Sequence, residues 1–125
     1  MADGATDPVY DKKDQLQQVR DGLLEGETVY AVYDAVGAGT GFLGITDRRV
    51  ILQDTSFVGK RVAITSIPYS RVTSVSVVSD RSWGGAFFSS SSIAITTSHS
   101  SHEVEFRGTD KAHHAHNLIL WHMVR

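Results

Sequence analysis

The 125-residue sequence contains no cysteine, which excludes a disulfide framework, a thiolate zinc site and a cysteine nucleophile together. Its two prolines, Pro8 and Pro68, are too few for collagen-like repeats. No apolar run approaches the roughly 18 residues of a membrane-spanning helix. Neither sign of charge dominates: twelve basic against fourteen acidic side chains leave a net charge of -2, so no overall field steers the chain toward nucleic acid or anionic lipid. Met1-Ala2-Asp3-Gly4 is an acidic start, not the basic n-region of a secretion signal, so the expected setting is cytoplasmic. With 41% hydrophobic and 21% charged residues, the composition is that of one globular domain and argues against disorder and extended coiled coil.

Two periodicities divide the chain. Met1–Thr6 reads as a loose end. Asp7-Pro8 carries the signature of a helix N-cap followed by proline at the first helical position. Leu16, Val19 and Leu23 recur at three- and four-residue spacing, and Gly22 and Gly26 mark where this N-terminal helix stops. From Thr28 onward the period is 2. Thr28–Ala35, Gly41–Thr46 and Val50–Gln53 read as strands separated by glycines and by the polar turn at Thr46–Arg49. Lys60–Ile67 alternates with Val62 and Ile64 on one face against Arg61 and Thr65 on the other. Pro68 interrupts pairing because proline has no N–H for a central ladder. Val75/Val77, Ile93/Ile95 and Val104/Phe106 continue the series of half-buried antiparallel strands. About seven such strands with no helix between them predict a mainly β sandwich or partly open barrel. After Gly108 the period returns to helical: Thr109 can cap the start, and Ala112, Ala115, Leu118, Ile119 and His122 share one face. This C-terminal helix is expected to cover an open end of the barrel, with Leu120 and Trp121 outside its buried stripe.

Chemistry-bearing patterns are sparse. His99/His102 and His113/His116 are each spaced by three, but no HExxH pattern occurs and His113, His114 and His116 point in different directions. Solvated histidines account for them, with His122 expected as a satisfied imidazole at the core edge. The serine runs 89–92 and 98–101 lack a GxSxG elbow. Gly37-Ala38-Gly39-Thr40-Gly41 lacks the lysine of a phosphate loop and precedes a strand. No catalytic residue, metal or cofactor is therefore assigned. Arg49 is expected to reach across to an acidic or carbonyl partner while its stem covers apolar surface, and Tyr69 to bury its ring with the hydroxyl at the edge.

Gly41-Phe42-Leu43-Gly44-Ile45-Thr46-Asp47-Arg48-Arg49-Val50-Ile51-Leu52, then Ile67-Pro68-Tyr69-Ser70-Arg71-Val72-Thr73-Ser74-Val75, with Gly26-Glu27 ahead of the first strand, resembles the bacterial pleckstrin-homology (PH) domain family from about Leu24 to the C-terminus. The resemblance implies a PH-like, partly open barrel of two nearly orthogonal antiparallel sheets, with the C-terminal helix plugging one end. It divides the chain into 1–26, a loose start plus an additional N-terminal helix packed on the domain, and 27–125, the PH-like domain. It also implies homo-oligomeric rings. In phosphoinositide-binding PH domains, basic residues on the first two strands and their loop contact the headgroup, and here the sequence departs: no lysine or arginine lies between Arg20 and Arg48.

The expected function is thus a non-catalytic, self-associating scaffold or protein-interaction module, whose partners are further copies of itself and an unidentified protein. Its candidate surface is Trp83, Phe87, Phe88, Leu120 and Trp121, apolar side chains beyond what one small core needs. The alternative is a peripheral membrane module in which the 80–88 aromatic loop inserts into lipid while Lys60, Arg71 and Arg81 touch headgroups. Nucleic acid is not an expected partner.

Overall fold

The computed structural model describes residues 7–37, 40–55, 61–78 and 90–125. In chain order the elements are β1 (Val9–Tyr10), α1 (Lys13–Asp21), β2 (Val29–Val36), β3 (Thr40–Thr46), β4 (Arg49–Asp54), β5 (Ala63–Pro68), a 3-10 turn (Tyr69–Arg71), β6 (Ser74–Val78), β7 (Ser90–Thr96), β8 (Ser101–Arg107) and α2 (Lys111–Met123). Seven strands follow one antiparallel path, β5-β4-β3-β2-β8-β7-β6. β2 joins its two halves: Val29 to Asp34 pair with β3, and Ala35 and Val36 pair with β8. The sheet curls into a half-barrel, and α2 packs into it against β6, β7, β8, the 3-10 turn and β3. This is the mainly β, partly open barrel expected from the strand count, with the helix-closed PH-like arrangement that the family resemblance implies.

Strict alternation gives the curled sheet two apolar faces. On the concave side Ala31, Leu43, Ile45, Val50, Leu52, Ile67, Ile93, Ile95, Val104 and Phe106 form one core with Ala112, Ala115 and Ile119 of α2. Their neighbours in sequence, Val32, Phe42 and Ile51, point the other way and form a second cluster with Val29 and with Leu16 and Val19 of α1. Gly44 lies on this convex face under the helix. A Cβ there would sit 3.1 Å from Val19 Cγ2, so glycine is what lets α1 approach.

A β-bulge sets the phase of β2. Val29 pairs with Thr46 and Ala31 with Ile45, so two steps along β2 match one along β3 and Tyr30 is the extra residue. In an unbroken strand Val29 and Ala31 would share a face. Here Val29 packs under α1 and Ala31 in the barrel.

Three local expectations are corrected. The helix does not begin at Asp7-Pro8: Val9 and Tyr10 instead pair in parallel with Ala31 and Val32, and α1 starts at Lys13 with no side-chain cap. A nearby sheet offers this β-favouring dipeptide ladder bonds that the cap signal cannot match. In β5 the inward row is Ala63, Thr65 and Ile67, opposite Asp54, Leu52 and Val50, while Val62 and Ile64 face outward and are 52% and 54% exposed. Finally, α2 starts one residue beyond the predicted Thr109 cap, with Asp110 at its N-cap position and no side-chain cap bond. Pro68 ends β5, an edge strand of the path, where a missing N–H is tolerated.

Candidate functional site

The residues that carried the family resemblance converge at the C-terminal end of α1. Thr46 is fully buried. Its Oγ1 accepts the backbone N–H groups of Arg48 and Arg49, each at 3.0 Å, and donates to Glu27 Oε2 at 2.6 Å. Glu27 also receives Arg49 Nε and Nη2, both at 2.9 Å, and the Leu24 N–H at 2.8 Å. Arg49 continues outward to the Gly22 carbonyl at 2.8 Å and to Ser66 Oγ at 2.9 Å. The Tyr69 hydroxyl donates to the Thr46 carbonyl at 2.6 Å. One network thus ties the end of α1, the start of β2, the β3–β4 turn, β5 and the 3-10 turn. Arg49 plays the part expected of it, with Glu27 as the acidic partner.

The electrostatics follow from this burial. Desolvation pushes the Glu27 carboxyl up, but the hydrogen bonds from Arg49, Leu24 and Thr46 and the Arg49 charge outweigh it and bring it from 4.5 to about 2. Burial, with Asp47, Glu27 and Tyr30 adding negative or competing charge, raises the Tyr69 phenol well beyond its ordinary range. Both groups stay in one protonation state across the neutral range, as structural parts of a lock and not as proton carriers.

A second aromatic cluster lies at the end of α2. His122 stacks on Tyr69 with ring centroids 5.2 Å apart, tilts against Tyr30 at 5.1 Å and meets Trp121 edge-on at 5.0 Å. Its Nδ1 bonds the Leu118 carbonyl at 2.8 Å, and Nε2 is buried with no hydrogen-bond partner among the described residues. Among those residues the imidazole expected to be satisfied is therefore half satisfied. At the other end of α2, His114 Nδ1 meets the Tyr33 hydroxyl, and Lys111 bonds Asp11 at 2.8 Å. Burial, with Asp11 nearby, pushes the Tyr33 phenol up to about 12. His113 is exposed, and His116 bonds the adjacent Asn117. Among the described residues no three His, Asp or Glu side chains group as metal ligands.

Of the candidate interaction residues, the structure places Leu120 and Trp121 together on the outer side of α2, 39% and 53% exposed. Val124, 71% exposed, extends their patch and was missed because it follows the helical stripe. Arg125 lies over the Trp121 ring with its guanidinium carbon 4.2 Å from the centroid. Arg71 is exposed at the end of the 3-10 turn. Trp83, Phe87, Phe88, Lys60 and Arg81 fall outside the described residues. A further surface that alternation did not reveal is a groove of about 280 Å³ between α1 and β5, with Val19, Phe42, Ile51 and Ile64 as its apolar lining and Asp21 and Arg49 as its charged residues.

A curled seven-strand sheet closed by a C-terminal helix defines a PH-like domain. The sequence profile of the Bacterial PH domain matches residues 6–123, and the chain belongs to that family. The match takes in α1, which the motif-based resemblance, starting near Leu24, left out. Among solved structures, a pleckstrin homology domain from Shewanella amazonensis SB2B is similar at 24% identity, covering 92% of this chain and 100% of that one with a TM-score of 0.65. A DUF1696 family protein with a pleckstrin-homology domain from Shewanella loihica PV-4 is similar at 22% identity over 90% and 94% of the two chains, with a TM-score of 0.61. A comparison with curated proteins returns no match. No helix among the described residues is long and apolar enough to cross a membrane.

Proposed function

We propose that the chain is a non-catalytic PH-like interaction module that self-associates through the end of α2. The observation that carries this reading is the apolar patch of Leu120, Trp121 and Val124, in which Trp121 meets His122 edge-on and has the Arg125 guanidinium over its ring. A large aromatic fixed in this way loses little conformational freedom on binding, which is the property of an interface anchor. The motif residues Glu27, Thr46, Arg49 and Tyr69 serve each other, which among the described residues favours the exposed apolar surface as the part that engages a partner. The test is solution mass by light scattering. Wild type at tens of micromolar is expected as a defined oligomer and Trp121→Glu as a monomer, whereas a monomeric wild type overturns the reading.

A further inference from the structure

Resting on that self-association reading, we propose that the α2 patch of one copy docks into the α1–β5 groove of a second copy. The two surfaces lie on opposite sides of the sheet. α2 fills the concave side with Ala112, Ala115 and Ile119, whereas the groove is on the convex side, where Phe42 and Ile51 belong to the cluster under α1. That convex apolar row does not stop where α1 stops. It continues onto Ile64 of β5 and Val62 just before that strand, both more than half exposed. The molecule thus has an apolar recess with one open wall and, elsewhere, a projecting apolar cluster of Leu120, Trp121 and Val124.

Charge identifies the occupant. Two charged side chains line the groove. Arg49 is neutralised by two contacts to Glu27. Asp21 is exposed and accepts only the neutral Gln17 amide, at 2.8 Å, among the described residues. The groove therefore presents apolar surface beside one negative charge that no cation pairs among the described residues. The α2 end presents the complement, an exposed Trp121 overlaid by Arg125, whose described contact is that ring and no carboxylate. Insertion of Trp121 beside Ile64 brings Arg125 toward Asp21, pairing the two unmatched charges at the rim of an apolar contact. Because projection and recess are different surfaces, the contact is heterologous, and each copy can bind one neighbour on each side.

The experiment uses two variants of the full chain, each checked for native circular dichroism. Trp121→Glu removes the projection and keeps the groove; Ile64→Glu spoils the groove and keeps the projection. Both positions are exposed, so neither substitution disturbs a core. By analytical ultracentrifugation each variant alone is expected to be monomeric, and an equimolar mixture to form a 1:1 heterodimer that grows no further. Asp21→Arg is expected to weaken wild-type assembly several-fold, and Arg125→Asp added to it to restore assembly. If Ile64→Glu assembles like wild type, or the two monomeric variants fail to combine, the groove is not the docking site although self-association through α2 stands. A monomeric wild type defeats the self-association reading and this proposal with it.

Discussion

Replacing Glu27 by glutamine tests the lock at its one buried charge. The Glu27 side chain is wholly inaccessible and that of Arg49 is 18% exposed, so solvent screens their attraction little. A carboxyl brought from 4.5 to about 2 corresponds to about 3 kcal/mol of stability at neutral pH. The folded-state pKa is the lower one, so this stability is fully present above the unfolded value of 4.5 and is lost as pH falls toward the folded value. More than half should be gone by about pH 3. Glutamine keeps the volume and one acceptor but turns an amide donor toward the guanidinium or Thr46. The expected loss in Glu27→Gln is about 3 kcal/mol at pH 7, or a thermal midpoint lowered by about 10 °C. Urea unfolding of both proteins at several pH values gives the difference directly, and that difference should shrink by about 2 kcal/mol between neutral pH and pH 3 as wild-type Glu27 becomes protonated. A difference below about 1 kcal/mol at neutral pH, or one that stays constant down to pH 3, would refute the assignment of the lowered pKa to this lock.

Two other substitutions or assays probe different parts of the molecule. Gly44→Val should destabilise the fold by about 1–3 kcal/mol and expose α1 to limited proteolysis, because its Cβ would press on Val19; wild-type stability and protection would show that α1 packs elsewhere. In co-sedimentation with neutral and anionic vesicles, no salt-sensitive preference for phosphatidylserine or phosphoinositide is expected, since Gly37 and Thr40, which flank the β2–β3 connection, and the residues between them include no basic side chain and Arg49 is held by Glu27. Strong anionic binding lost on adding salt would return the protein to the lipid-binding class.

What could be read from the sequence were the features whose cause is local. Ile93/Ile95 and Val104/Phe106 show their buried face in their own alternation, and the stripe Ala112, Ala115, Ile119 is buried as its spacing requires. What escaped depends on distant partners. Val9 and Tyr10 became a strand only because β2 lies beside them. In β5 the inward row follows from Ile67 facing Val50 and Thr65 facing Leu52; a strand with apolar residues on both faces does not reveal its phase in isolation. Arg49 was legible as a pairing residue and Glu27 as a motif residue, but that the two meet depends on the β2–β3–β4 path. The groove was hidden for a related reason, since it is the gap left where a nine-residue helix ends short of the sheet's last strand.

The bulge at Tyr30 makes β2 a strand read in two frames. Up to Val29 its odd-numbered positions belong to the helix-covered face; from Ala31 the odd-numbered positions belong to the barrel, and Val32 between them keeps to the helix-covered face. The extra residue is the frameshift that lets one strand serve both. Were Tyr30 instead paired as an ordinary rung, everything N-terminal to it would fall out of phase, turning Val29 toward the barrel and Glu27 away from Arg49. Deleting Tyr30 would leave Val29 and Ala31 as successive residues on the opposite faces they already occupy, at the expense of the Tyr30–His122 ring contact. The bulge and its extra residue therefore form one unit, and domains built on this plan should keep both or lack both, with other variation in chain length falling in the connections.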